Sequence, residues 1–213
     1  MIVLAIDTCL DACAAAVWAD GRTLAARSEP MRRGHQERLG GLVSELMGEA
    51  GVGFAALDRI GVTVGPGSFT GLRVGLAFAK GLGLALARPV VGIGVLEALA
   101  ACEPEELVAA VVAGPREQVY LQIFAAGRPL AAPDCLPIEI AAARLAEFAG
   151  GRAVLLVGPG ATSLAEVAPG ARTVAHAAPD PATIARLAAQ AQAPVAMPRP
   201  LYLRPPDARA SNP

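Results

Sequence analysis

Two short stretches carry residue types that could do chemistry. Asp7 and Thr8 follow the apolar run 2–6, which puts a carboxylate and a hydroxyl at the carboxyl end of a first strand, the edge where open α/β sheets hold ligands. A carboxylate there can hold a metal-bound water, and the threonine hydroxyl with the amides after it can face a phosphate. An aspartate that merely starts the turn between strands is the plainer reading when the pair stands alone. The second stretch, Gly65-Pro66-Gly67-Ser68-Phe69-Thr70-Gly71, joins a strand to a helix. Its amides would lie at the positive end of the helix dipole, where anions are favoured. Ser68 can equally cap the helix with no ligand present. The loop lacks the GKS/T ending of a P-loop and does not read G-x-G-x-x-G, so a dinucleotide site is excluded.

Little else in the chain suits nucleophilic or metal chemistry. His35 and His176 are far apart, and neither adjoins a serine or cysteine motif. His35 and Glu37 stand two apart at a helix start, where side chains diverge. Cys9, Cys13, Cys102 and Cys135 have no C-x-x-C spacing and read as small buried hydrophobes. No residue is therefore assigned a catalytic or metal-ligating role. A formal net charge of -1, 4% aromatic residues and a single lysine, Lys80, offer no basic field, so any contact with RNA would have to run through a partner. Hydrophobic residues make up 54% of 213 positions, enough for a large core and incompatible with a disordered chain. The apolar start has no basic region before it and no cleavage signal after it, so a cytoplasmic location is expected.

These residues must be positioned by a mixed α/β framework. Runs 2–6, 12–18 and 22–28 read as strands, with Asp20-Gly21 as a hairpin turn. From Gly34 the spacing turns helical, with Leu39, Leu42, Val43 and Leu46 on one face and an end at Gly51. A strand at 59–64, a helix at 69–87, a strand at 90–93 and a short helix at 95–101 complete a βββαβαβα series. The helix at 69–87 approaches membrane-spanning length, but Arg73 and Lys80 would each cost about 2.5–3.5 kcal/mol at mid-bilayer, so no membrane is expected. After Glu103-Pro104-Glu105-Glu106 a second hairpin, 107–112 and 118–125, opens a second unit. A helix at 138–148, a strand at 153–157, a turn at 158–160 and a helix at 181–192 follow. The order implies an α/β fold of two units, 1–104 and 105–213. The proline-rich tail is expected to pack back on the first unit and to fray around Pro205, Pro206 and Pro213. Gly71 and Gly75, one turn apart, would admit another backbone, and their apolar helix beside an amphipathic one makes a dimerisation surface.

Five stretches taken together resemble the TsaB (YeaZ) family of the bacterial tRNA threonylcarbamoyladenosine machinery. They are the start Ile2-Val3-Leu4-Ala5-Ile6-Asp7-Thr8, the run His35-Gln36-Glu37-Arg38-Leu39, the glycine loop continued through Leu72-Arg73-Val74-Gly75, the hairpin Arg116-Glu117-Gln118-Val119-Tyr120, and Pro200-Leu201-Tyr202-Leu203-Arg204. The resemblance implies an actin-like, sugar-kinase-like fold of two ribonuclease-H-like subdomains. It also implies a chain without catalysis of its own. The related catalytic TsaD family carries a His-x-x-x-His metal pair where this sequence has Val95 and Leu99, and neither can ligate a metal. A second departure is Ala113, which stands where relatives carry an acidic residue.

The resemblance further implies a partner interface on the two long helices of the first unit, comprising His35, Leu39, Leu42, Leu46, Phe69, Gly71, Arg73, Leu76 and Lys80. The expected partners are a TsaD-type catalytic subunit and a TsaE-type ATPase, with a homodimer when the chain is alone and tRNA reached only through the complex. ATP and a divalent metal belong to those partners, and this chain needs no cofactor of its own. Any nucleotide site formed by Asp7, Thr8, Gly65, Pro66, Gly67 and Ser68 would be vestigial. A charge at Leu76 or a bulky arginine at Gly75 is expected to abolish assembly while leaving the monomer folded. The alternative is an independent ATP-dependent kinase or ATPase of the same fold that uses Asp7 and the glycine loop.

Overall fold

The computed structural model describes residues 1–192 and 194–204, so the expected fraying at Pro205, Pro206 and Pro213 lies outside the described residues. β1 (Ile2–Asp7), β2 (Ala12–Ala19) and β3 (Arg22–Pro30) form an antiparallel meander. Asp20 and Gly21, both at positive φ, close its first hairpin with the backbone a tight two-residue turn needs. Then come α1 (His35–Glu49), β4 (Arg59–Thr63), α2 (Phe69–Leu86), β5 (Val90–Ile93) and α3 (Val95–Ala100). The sheet runs β3-β2-β1-β4-β5, with β1, β4 and β5 parallel.

The second unit holds β6 (Leu107–Ala113), β7 (Gln118–Ala125), β8 (Arg128–Pro129), β9 (Asp134–Pro137), α4 (Ile138–Ala149), β10 (Leu155–Val157), α5 (Ala161–Val167) and β11 (Arg172–Val174). Its sheet runs β11-β10-β6-β7-β8, and β9 also pairs with β7. Both sheets follow one plan: the first strand is central, an antiparallel hairpin lies on one side and two parallel strands on the other. This is the ribonuclease-H-like unit used twice, the actin-like α/β architecture. The short strands β8, β9 and β11 and the two-turn helix α5 have no counterpart in the sequence reading. Only Ala161 and Leu164 of α5 are buried, too few to show a helical period.

The two units exchange their last helices. α3 follows the first sheet but packs on β6 and β7 of the second, whereas α6 (Pro181–Gln190) follows the second sheet and packs on β1, β2 and β4 of the first. Alternation along each strand makes this possible. Leu4, Ile6 and Val62 face α1 and α2, while Val3, Ala5 and Ala16 face Ile184, Ala185 and Ala188 of α6. The stretch expected as the second unit, 105–213, thus lends its last helix to the first sheet. The apolar face of that helix was legible, but periodicity does not say which sheet a face will cover. The tail continues on the first unit, where the Leu201 amide donates to the Val64 carbonyl at 2.7 Å.

A buried cation fastens α6 to this sheet. Arg59 on β4 donates to the carbonyls of Ala188 and Ala191, 2.6 Å each, at the negative end of the helix. Arg59→Leu leaves those carbonyls unpaired and should cost about 2 kcal/mol. Hydrogen exchange should show the α6 amides opening faster than those of β1; equal protection in both would remove Arg59 as the fastening.

Candidate functional site

Asp7 ends β1 with its side chain fully buried. Thr63 at the end of β4 donates its hydroxyl to Asp7 Oδ1 at 2.5 Å, and the Cys9 amide donates to the same oxygen at 3.0 Å. Asp7 Oδ2 and His35 Nε2 are buried without a partner among the described residues. Burial pushes the Asp7 carboxyl up from its ordinary value, against the two hydrogen bonds and the nearby His35 ring, which favour the charged form. The folded state then holds the Asp7 proton more tightly than the unfolded chain does. Its contribution to stability is full below the ordinary carboxyl range and declines as pH rises through the raised folded value. Asp7→Asn keeps the oxygen that Thr63 and Cys9 use and has no charge to bury. It should match or exceed the native chain near pH 7 and lose the decline that sets in as pH rises above the ordinary carboxyl range. A clear loss of stability at pH 7 in urea titrations would mean that the carboxylate is ionised and used.

The glycine loop closes over this strand end. Ser68 caps α2 by accepting from the Gly71 amide at 3.3 Å, and its own amide donates to the Cys9 carbonyl at 2.7 Å. Thr8 donates its hydroxyl to the Gly71 carbonyl at 2.7 Å. Gly67, Gly71 and Gly75, spaced by four, lay a stripe without side chains along the turn that follows β1. A Cβ at Gly67 would collide with the Cys9 carbonyl oxygen, one at Gly71 with the Thr8 carbonyl oxygen, and one at Gly75 would lie 2.5 Å from Thr8 Oγ1. The backbone that these glycines admit is thus the chain's own.

The residues expected to form a nucleotide site, Asp7, Thr8, Gly65, Pro66, Gly67 and Ser68, are covered unequally: Gly67 is half-buried and Ser68 exposed. Asp7, Thr8, Gly65 and Pro66 are buried. The Cys9 carbonyl accepts from the Ser68 amide, which is therefore not offered to an anion. Among the described residues no group of three potential metal ligands occurs. Val95 and Leu99 are fully buried core residues of α3. The thiols are all free, and burial pushes them up, Cys13 to about 11.

The interface residues divide in two. Leu39, Leu42 and Leu46 of α1 and Leu76 of α2 belong to the core beneath the helices. Gly71 is covered by Thr8, and His35 is buried at the first turn of α1. Leu42, Leu46 and Leu76 offer no surface to a partner, whereas Leu39 lines the groove between α1 and α2, and His35 and Gly71 line a cavity beside it. Leu76 is 4% exposed, so a charge there would break the core, and an arginine at Gly75 would strike Thr8; neither leaves an intact monomer. The outer stripe of α2 is Phe69, Arg73, Ala77, Lys80 and Leu84, spaced three or four apart. Phe69 is 51% and Leu84 72% exposed. The Arg73 guanidinium lies 3.7 Å over the Phe69 ring and donates to the Tyr202 hydroxyl at 3.2 Å. Between this stripe and α1 runs a groove of about 530 Å³ lined by Gln36, Leu39, Phe69, Thr70, Arg73, Val74, Ala77 and Phe78.

Ala77, Phe78 and Leu84 were missed because α2 is apolar all round, so its period does not single out an outer face; Tyr202 reaches the stripe from the tail, a contact no local pattern shows. The signal lay in the glycines. Once Gly67, Gly71, Gly75 and Gly83 are taken as the inner face, the outer stripe is their complement. α2 is long and apolar enough to cross a membrane, yet Gly71, Leu72, Gly75, Leu76, Ala79 and Gly83 bury one side of it against the sheet.

Residues 28–136 match the family model described as TsaD, tRNA N6-adenosine threonylcarbamoyltransferase. The tRNA threonylcarbamoyladenosine biosynthesis protein TsaB of Escherichia coli is 37% identical over 100 residues, 47% of this chain and 43% of that protein. TsaB of Haemophilus influenzae is 33% identical over 128 residues, 58% and 54% of the two chains. The chain thus spans about half the length of the curated relatives it matches. Among solved structures, YeaZ from Pseudomonas aeruginosa matches with a TM-score of 0.79 at 30% identity, over 88% of this chain and 90% of that one. A second Pseudomonas aeruginosa structure, an uncharacterised protein similar to peptidase YeaZ, gives a TM-score of 0.79 at 28% identity over 95% and 99%. With a family model across half of its residues and a YeaZ structure matched over nine tenths of its length, the chain belongs to the TsaB (YeaZ) family within the TsaD-like group.

Proposed function

We propose that this chain is a non-catalytic, TsaB-type subunit that takes part in transferring threonylcarbamoyl to N6 of the tRNA adenosine beside the anticodon. It docks a TsaD-type catalytic subunit through the outer stripe of α2 and the groove beside α1. The observation that carries this reading is the contrast within α2. Its inner face packs on the β1 turn over the buried Asp7, while its outer face leaves Phe69 and Leu84 open to solvent on a fold with a filled core. Apolar area of that kind marks a contact surface.

In this reading the chain works in the cytoplasm, pairs with itself when alone, and is joined in the complex by a TsaE-type ATPase. ATP and a divalent metal are used by the partners. Tyr202, Phe69 and Arg73 tie the tail to the docking stripe, so the tail forms one edge of the interface. A kinase or ATPase of this fold would need Asp7 accessible to metal and nucleotide, and its complete burial argues against that alternative.

The test is complementation in a bacterium depleted of its own TsaB, with the modified adenosine in tRNA measured by mass spectrometry. This chain, supplied with the TsaD-type subunit of its own genome, should restore the modification. Incubated alone with tRNA and a threonylcarbamoyl donor, it should yield none. Modified tRNA from the isolated chain would overturn the non-catalytic reading, and failure to restore modification would overturn the assignment to this reaction.

A further inference from the structure

The charges on the two edges of the α1–α2 layer are arranged differently. On the edge toward β3 they are mutually satisfied. Arg38 holds Glu29 through two bonds of 2.7 Å and Glu45 at 2.7 Å, while Arg27 bonds Glu45 at 2.6 Å and also Glu49. On the edge that carries the docking groove three cations are not. Arg33, at the groove's end beside the first turn of α1, has no carboxylate partner among the described residues, and neither does Lys80. Arg73 is held by the Phe69 ring and the Tyr202 hydroxyl, both neutral. α2 contains no aspartate or glutamate at all. Glu37 lines the same cavity as Arg33 and accepts from Gln36 at 2.9 Å, and Arg32 beside them holds Asp11 at 2.9 Å.

We propose that this face is built for a protein surface that carries carboxylates around an apolar centre, opposite Arg33, Arg73 and Lys80. The same charges set a second copy of this chain at a disadvantage. This rests on the docking role proposed above and adds the chemistry of the partner. An apolar groove between uncompensated cations is complemented by an acidic rim around an apolar patch. In a symmetric pair each α2 meets the other copy's α2, bringing Arg73 and Lys80 to both sides with no acid on either helix. Opposite charges would favour the foreign partner and like charges would weaken the self-pair, which makes the same surface selective. A protein fits better than an RNA backbone because Ala77, Phe78 and Leu84 lie among the cations, and phosphates would leave that apolar area unused.

The first experiment compares the salt dependence of two pairings, this chain with itself and this chain with the TsaD-type subunit of its own genome. Between about 50 mM and about 500 mM NaCl the mixed complex should weaken about tenfold, while the self-pair should stay level or tighten, because salt screens attraction in one and repulsion in the other. The second mixes the native chain with an Arg73→Glu/Lys80→Glu chain. The native–variant pair should form about tenfold more tightly than either self-pair at low salt, an advantage that disappears at high salt. Arg73→Gln/Lys80→Gln should fall between, and thermal melts of both variants within a few degrees of native confirm that the fold is intact. Equal salt slopes for the two pairings, or no preference for the native–variant pair, would overturn the inference while leaving the docking role standing. Absence of any complex with the TsaD-type subunit would overturn the docking role, and the inference with it. Salt-sensitive binding of tRNA to the isolated chain, lost in the Arg73→Glu/Lys80→Glu variant, would overturn it in favour of an RNA-facing surface.

Discussion

Replacing Gly71 by alanine should lower the stability of this chain by about 3 kcal/mol or more, a large effect for one methyl group on a helix. In an exposed helix the same change would stabilise by up to about 1 kcal/mol, because alanine is the better helix former. Here the added carbon would lie almost on the Thr8 carbonyl oxygen. That oxygen is main chain, at the end of a central strand whose next residues bond to Ser68, so it cannot rotate away as a side chain would. Either α2 lifts from the sheet or the turn after β1 shifts, and both disturb the hydrogen bonds of Thr8 and Ser68. Gly81 supplies the internal control. It lies on the same helix with open space where its Cβ would be, so Gly81→Ala should be neutral or slightly stabilising. Urea unfolding of the two variants measures the difference. If Gly71→Ala unfolds at the native midpoint, α2 is not closed onto the β1 turn and Asp7 is accessible after all.

Leu84→Glu and Ala77→Glu should abolish assembly with the TsaD-type subunit while leaving the monomer's melting temperature within a few degrees of native. A carboxylate centred in an apolar contact has to be buried without a partner or the contact has to open. Positions of that kind commonly cost 2 kcal/mol or more of binding, about thirtyfold in affinity. Both residues are exposed, so the monomer has nothing to lose. Leu76→Glu on the opposite side of α2 makes the comparison sharp, since it should unfold the chain and remove the complex only as a consequence. Size-exclusion chromatography of the mixed subunits, with a thermal melt of each variant alone, distinguishes the two. Retention of the complex by both Leu84→Glu and Ala77→Glu would move the interface off this stripe.

The sequence was most informative where a pattern is local. The Asp20-Gly21 hairpin, the amphipathic face of α1 and the break at Glu103-Pro104 all follow from side-chain period or turn chemistry, and each has its counterpart in the fold. The pairing of the five motifs with a known family also needed no coordinates. The chemistry of Asp7 was not legible in the same way. An aspartate after a strand has one residue type and several possible environments, and only the covering by Thr63, Cys9 and α2 decides that this one is sealed. The glycine loop shows the same ambiguity. Glycines are required wherever a backbone or a phosphate comes close, and nothing in Gly65-Pro66-Gly67-Ser68 says which of the two arrives.

By itself, then, the sequence determined the α/β class, the order of the long elements, the family resemblance, and the lack of a basic field or a nucleophile motif, because these depend on residue type and near spacing alone. Tertiary structure decided three other things. It exchanged α3 and α6 between the sheets, it turned the glycines of α2 inward against Thr8 and Cys9, and it thereby turned Phe69, Arg73, Ala77, Lys80 and Leu84 outward. The physical reason is common to all three. An apolar helix states that it must be covered, but which side is covered from within the chain and which is left for a partner depends on contacts between residues far apart in sequence.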